Sequence, residues 1–95
     1  QLAETSHLKS ITLSDINSNS SFTVDNIPGK QASVKILYNI SQANNFKITS
    51  KQAATGLALF ADYAEEERRQ PGSHPNIKLL FDIIAANQTW KVETP

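Results

Sequence analysis

The sequence of 95 residues contains no cysteine, and this absence limits how the fold can be held together. Without thiols the chain can form neither a disulfide framework nor a thiolate zinc site. Apolar packing and hydrogen bonds must therefore supply the stability. Because disulfides belong to oxidising compartments, their absence favours a cytoplasmic location, which is our prediction.

The sequence also lacks an excess of either charge and lacks any long apolar run. Nine basic side chains balance nine acidic ones, so the formal net charge is zero. Attraction to nucleic acid or to an anionic membrane needs a positive field, so we predict no nucleic-acid partner. No apolar run reaches the roughly 18–20 residues that a membrane-spanning helix needs, so we predict no membrane partner either.

Methionine is absent too, even from the first position, which is Gln1. We therefore expect that the sequence is not the complete translation product, and whether a segment before Gln1 was removed stays open. A chain of 95 residues has the size of one domain. We predict a single domain over residues 1–95, in which residues 1–6 are disordered or loosely held.

Three stretches alternate polar and apolar residues, which is typical of half-buried strands. They cover about residues 8–14, 20–26 and 89–93. A short polar turn over 15–19 joins the first two strands, and this predicts an antiparallel hairpin. Residues 46–48 could add a brief extended piece.

Three other stretches carry apolar residues at helical spacing. The first helix is predicted over about 31–43. The second follows the Thr49–Gln52 capping-box pattern and runs to about Arg69, and the third runs from Pro75 to Asn87. The order β-β-α-α-α-β predicts an α+β fold of two layers, with a small antiparallel sheet of about three strands packed against about three helices.

A proline- and glycine-rich corner over residues 70–75 separates the last two helices and carries the polar residues of greatest interest. Two basic residues end the second helix, and the N–H groups that open the third helix point outward with partial positive charge. A phosphate or a carboxylate would be favoured there. The candidate ligand-binding residues are Arg68, Arg69, Ser73, His74 and Asn76.

A purely structural explanation of the same corner is also available. Glu65 lies three and four residues before Arg68 and Arg69, which favours ion pairs on one helix face, and cations are favoured at a helix C-terminus. A third hypothesis for this corner is general acid–base catalysis by His74 together with Glu65 or Glu66. The corner matches no catalytic signature, and we predict no catalytic residue.

Two further patterns give weak signals. The two histidines are far apart in sequence, and Asp62, Glu65 and Glu66 share one helical turn without other ligands, so we predict no metal and no cofactor. The segment 29–33, Gly-Lys-Gln-Ala-Ser, opens a helix after a strand as a phosphate-binding loop does. It lacks the first glycine and the adjacent Lys-Ser/Thr pair of that motif, so nucleotide hydrolysis is disfavoured.

A specific run in the sequence is Pro71-Gly72-Ser73-His74-Pro75-Asn76-Ile77, and Pro28-Gly29, Gly56 to Ala64 and Arg68 accompany it. Through these residues the sequence resembles a family of small uncharacterised bacterial single-domain proteins. The resemblance spans roughly residues 27–84. The resemblance implies a bacterial protein without an assigned activity, and it supplies no catalytic residues.

These observations lead to two functional hypotheses. The first is a non-enzymatic interaction module that binds a protein partner or forms a homodimer, because a small sheet must expose edge strands. The alternative is a small-ligand binder that holds an anion at the 68–76 corner. The sequence does not specify the ligand, the partner, the oligomeric state or the pathway.

Overall fold

The computed structural model describes residues 2–95. Its helices and strands, in chain order, are β1 (Ser10–Asp15), β2 (Ser21–Asp25), α1 (Gln31–Gln42), β3 (Lys47–Ile48), α2 (Ser50–Phe60), α3 (Asp62–Arg69), α4 (Pro75–Ala86) and β4 (Trp90–Glu93). The predicted α+β class is confirmed. The structure has four strands and four helices where about three of each were predicted, because β3 is an additional short strand and the second helix is divided.

The four strands form one antiparallel sheet in the order β2-β1-β4-β3. Leu13 of β1 lies opposite Phe22 of β2 on one side and opposite Val92 of β4 on the other. The alternation in β1 places Ile11 and Leu13 in the core, under the helices. The opposite face carries hydroxyl residues, so the sheet has one apolar and one polar face.

The helices pack on the apolar face, with α2 central among them. Ser50 at the start of α2 reaches Asn87 at the end of α4, with Oγ and Oδ1 3.4 Å apart, so these two helices run antiparallel. Gly56 allows the close contact between the helices: a Cβ there would lie 2.9 Å from Leu80 Cδ1 and 3.0 Å from Ile40 Cδ1. The glycine therefore makes room for two core side chains.

The predicted helix ends are largely confirmed. Gln52 Oε1 accepts a hydrogen bond from the backbone N–H of Thr49 at 3.0 Å, within the capping box that was predicted to open α2. Pro75 occupies the first turn of α4, where its missing N–H leaves no intrahelical bond unmade. Asn87 adopts the left-handed conformation after α4, with φ of 51°.

The prediction of one continuous helix to Arg69 was wrong. The chain turns at Ala61, where φ is 54° and ψ is −117°, and α3 starts at Asp62. Neither glycine nor proline stands at this turn, so no local residue type indicates it. We attribute the turn to tertiary contacts of α3, whose buried residues are Ala64 and Glu67.

The N-terminal segment lies along α1. The backbone N–H of Ala3 donates to Asn39 Oδ1 at 2.6 Å, and Asn39 Nδ2 donates back to the carbonyl of Ala3 at 3.0 Å. Thr5 is buried. The expectation that residues 1–6 are loosely held stays a prediction, as does the single domain, and Gln1 lies outside the described residues.

Candidate functional site

A buried carboxylate organises the corner between α3 and α4. Glu67 is only 3% exposed, although it belongs to a run of charged residues. Its Oε2 accepts a hydrogen bond from the backbone N–H of Gly72 at 2.7 Å, and its Oε1 accepts one from the N–H of His74 at 2.6 Å. These two backbone N–H groups hold the pKa of Glu67 below its usual range, because they stabilise the ionised form.

This arrangement changes what the corner can offer to a ligand. We expected its outward N–H groups to be available for an external anion. The N–H of His74, the N-cap residue of α4, and the N–H of Gly72 in the preceding loop instead bind the protein's own carboxylate. A ligand in this region would therefore depend on other donors.

A second glutamate orients the His74 ring. His74 Nε2 and Glu66 Oε1 lie 2.7 Å apart, and the ring meets that of Tyr63 edge to face, with centroids 5.6 Å apart. Within residues 2–95 the ring makes no hydrogen bond to a serine or threonine hydroxyl. The His74 ring therefore lies between a carboxylate and an aromatic ring, and it is not paired with a nucleophile.

The contacts of Arg68 are with residues of α3 and α4 other than Ser73, His74 and Asn76. The guanidinium of Arg68 lies over the ring of Phe81, 5.3 Å from its centroid, and its Nε is 3.9 Å from Glu65 Oε2. Cation–π contacts of this kind favour arginine at a partly apolar surface. Arg69 is exposed at the end of α3.

Ser73, His74 and Asn76 instead line a cavity of about 540 Å³ between the starts of α1 and α4. We name this cavity the α1–α4 cleft. Neither arginine lines it. Its lining comprises two helix starts and the side chains between them, namely Gly29, Lys30, Gln31, Ala32, Ser33, Phe60, Tyr63, Ser73, His74, Pro75, Asn76 and Ile77.

The start of α1 provides the free donors of the α1–α4 cleft. The first N–H groups of any α-helix lack an intrahelical acceptor, and in α1 no side chain caps them. The residue at the N-cap is Lys30, where serine, threonine, asparagine or aspartate would be usual, and the first turn has no acidic residue. Partial positive charge from the backbone and the charge of Lys30 therefore meet at one end of the cleft.

The charge of the lining has one sign. Among the described residues, none of those that line the α1–α4 cleft is acidic. Lys30 supplies a positive charge, Ser33 and Ser73 supply hydroxyls, and Phe60 and Ile77 supply buried apolar surface. An organic anion with a small apolar part matches this combination.

Sequence reasoning did not include the α1 start in the candidate site. Segment 29–33 was compared with the phosphate-loop motif and discarded, since that motif requires residues that are absent here. A better signal is the sequence Pro28-Gly29-Lys30 before a helix without a capping side chain. This pattern predicts a helix whose first N–H groups have no capping side chain. It does not predict that His74 lines the same cleft as those groups.

No cluster of three or more metal-ligating side chains occurs in residues 2–95. The acidic residues Asp62, Glu65 and Glu66, considered together in the sequence, do not form such a cluster. Over the same residues, no helix has both the length and the apolar character needed to cross a membrane.

Comparison with known proteins identifies a family but no activity. The model of a family described as "Uncharacterized protein conserved in bacteria (DUF2322)" matches residues 1–94. Neither the curated proteins nor the solved structures contain a match to the chain. The resemblance seen in the sequence is confirmed, and it extends over nearly the whole chain.

Proposed function

The chain belongs to this family of uncharacterised bacterial proteins, and we propose that it is a non-enzymatic binding protein that holds a small organic anion in the α1–α4 cleft. The observation that carries the proposal is the uncapped start of α1 with Lys30 at one end of a cleft without acidic lining. The cleft volume of about 540 Å³ falls within the usual range for small-molecule sites.

The contacts divide the proposed ligand into two parts. Its anionic group, a phosphate or a carboxylate, accepts hydrogen bonds from the first-turn N–H groups of α1 and pairs with Lys30. Ser73, His74 and Asn76 line the opposite wall. Because Glu67 occupies the N–H groups of Gly72 and His74, we place the anion nearer to α1 than to α4.

The absence of catalysis is part of the proposal. Glu66 binds Nε2 of His74, and within residues 2–95 no serine or threonine hydroxyl hydrogen-bonds to the ring, so no nucleophile is paired with it as a base. We also propose a cytoplasmic location, since a chain without cysteine suits a reducing compartment. The absence of a nucleic-acid partner stays a prediction from the net charge of zero.

Titration of the protein with inorganic phosphate, sulfate and small mono- and dicarboxylates tests this function. Thermal shift and calorimetry should show stabilisation by at least one anion, rising to about 2.7 kcal/mol at a concentration one hundred times the Kd. Lys30→Ala should weaken that binding about tenfold or more, since it removes the charge beside the free N–H groups.

Two variants serve as controls. Lys51→Ala removes an exposed lysine of α2 that does not line the α1–α4 cleft, and it should leave the Kd unchanged. Arg68→Ala separates the cleft from the corner predicted from sequence: a loss of binding in this variant would place the anion beside the arginines. The proposal fails if no anion binds, or if Lys30→Ala binds as the wild type does.

A second candidate function, interaction with a protein partner or with a second copy, is favoured by the edge strand β2. This strand stands at the border of the sheet, with only β1 beside it. Ser21, Thr23 and Asp25 are exposed along it. An exposed edge strand can accept a strand from another chain.

A further inference from the structure

Strand β2 presents a regular row of unpaired backbone groups. Its hydrogen bonds with β1 continue at both ends, where the N–H of Asp15 donates to the carbonyl of Ser20 at 3.0 Å and the N–H of Asn26 donates to that of Lys9 at 2.9 Å. In an antiparallel ladder the bonded residues alternate. The backbone groups of Phe22 and Val24 therefore point toward β1, and those of Ser21, Thr23 and Asp25 point outward.

The usual protections of an edge strand are missing from β2. Its five residues contain no proline, no glycine and no lysine, and its pairing with β1 runs without a bulge. Asp25, at its end, is its one charged residue. The other edge strand, β3, has only two residues and begins with Lys47, so it offers a much shorter ladder.

We infer that β2 pairs antiparallel with β2 of a second copy of this chain, with Thr23 facing Thr23 across a two-fold axis. This inference rests on the second candidate function. The register uses every outward N–H and C=O group of both strands, because Ser21 then faces Asp25 and Asp25 faces Ser21. The two four-stranded sheets become one continuous sheet.

The side chains of β2 are complementary in the same register. On the polar face, the carboxylate of Asp25 lies opposite the hydroxyl of Ser21 and can accept its hydrogen bond. On the apolar face, Phe22 lies opposite Val24, which is a favourable cross-strand pair. The two Asp25 side chains do not face each other, and the net charge of zero adds no repulsion between copies.

Registers shifted by two residues are less favourable. A shift in one direction places Asp25 opposite Thr23 and leaves the outward groups of Ser21 unpaired. A shift in the other direction places Ser21 opposite Thr23 and leaves the outward backbone groups of Asp25 unpaired. A self-complementary strand of this length therefore indicates a second copy as its partner.

A charge-swap experiment on the full chain tests the inference, with sedimentation equilibrium as the measurement. The wild type should dimerise. Thr23→Lys and Thr23→Glu should each raise the dimer Kd about tenfold or more, because the two-fold axis brings like charges directly opposite each other. An equimolar mixture of the two variants should dimerise again, as opposite charges then meet across the axis.

Thr55→Lys is the matched control, since Thr55 is exposed on α2 and lies far from the sheet edge. It should leave the dimer Kd unchanged. Far-ultraviolet circular dichroism and the Tm of both Thr23 variants check that the monomers are folded. Both changes remove the hydrogen bond between the side chains of Thr12 and Thr23, but they leave the backbone groups of Phe22 and Val24 that pair with β1.

The possible failures are distinguishable. If the wild type stays monomeric at millimolar concentration, both the β2 pairing and self-association are overturned. Pairing of β2 with a different protein is then the remaining form of the second candidate function. A dimer that Thr23→Lys does not weaken overturns the inference but keeps self-association through another surface. If each variant alone is monomeric and the mixture also stays monomeric, the two-fold register is wrong.

Discussion

At the scale of single residues, Glu67 shows how one side chain can set the shape of a corner. Sequence reasoning assigned roles to Glu65, Glu66, Arg68 and Arg69 but none to Glu67, which lies among them in the charged run. In the structure Glu67 is buried, and each of its carboxylate oxygens accepts a hydrogen bond from a backbone N–H of the following loop. A buried carboxylate needs such partners, because an unpaired charge is costly away from water.

We predict that Glu67→Gln lowers the Tm at pH 7 by about 5 °C or more, because an amide has one oxygen to accept both N–H groups. The folded pKa of Glu67 lies below its ordinary value of 4.5, so its contribution to stability is present above pH 4.5 and is lost as the pH falls through the folded pKa. The difference in Tm between the two proteins should therefore shrink at acid pH.

Calorimetry of both proteins from pH 3 to pH 7 measures this difference, within the range where each still folds. Glu65→Gln is the control, since Glu65 is exposed and lies 3.9 Å from its arginine. That variant should keep the wild-type Tm profile within about 1 °C. A constant deficit of Glu67→Gln at every pH would mean that the shape of the side chain matters and its charge does not.

At the scale of helices and strands, the junction of α2 and α3 is the clearest case of tertiary control. Residues 50–69 have the apolar spacing of one helix, and the capping box at Thr49 opens it as predicted. Ala61 nevertheless takes a positive φ, which costs an L-residue roughly 1–2 kcal/mol. We attribute the turn to the burial of Ala64 and Glu67, which belong to the helix that follows it.

We predict that Ala61→Gly raises the free energy of unfolding by about 1 kcal/mol. Glycine adopts a positive φ without steric cost, and Ala61 is exposed, so little packing is lost. Ala58→Gly is the matched control inside α2, where glycine should lower stability by about 1 kcal/mol. Urea unfolding of both variants gives the signs. Destabilisation by both changes would show that residue 61 is helical in solution.

At the scale of the whole molecule, one apolar core joins the sheet to all four helices of the described residues. Leu80 of α4 is fully buried within it and approaches Gly56 of α2. The chain is small and has no disulfide, so this core must supply most of its stability. Domains of this kind are stable by only about 5–15 kcal/mol.

We predict that Leu80→Ala lowers the free energy of unfolding by about 2–5 kcal/mol, since it leaves a cavity among helices that cannot close fully around it. Urea unfolding followed by the fluorescence of Trp90 measures the loss. Leu59→Ala, at a side chain 43% exposed, should cost less than about 1 kcal/mol. Equal losses in the two variants would argue against the helix packing described here.

Several local features could be predicted because their physical causes are local. Alternation placed Ile11 and Leu13 of β1 in the core, and Pro75 and Asn87 marked the ends of α4. The candidate site was predicted only in part. Ser73, His74 and Asn76 lie near one another in sequence and share the α1–α4 cleft, but Lys30 is brought to them only by folding.

The amino-acid order alone determined the α+β class, the capping of α2 and the end of α4, since each depends on neighbours a few residues apart. Tertiary structure alone decided that Arg68 lies over the Phe81 ring, that Glu67 accepts hydrogen bonds from two N–H groups of the corner, and that Lys30 and His74 line one cleft. These outcomes depend on the burial of a charge and on the packing of distant helices. Neither the burial of this charge nor the packing of these helices can be predicted from residues that are close in sequence.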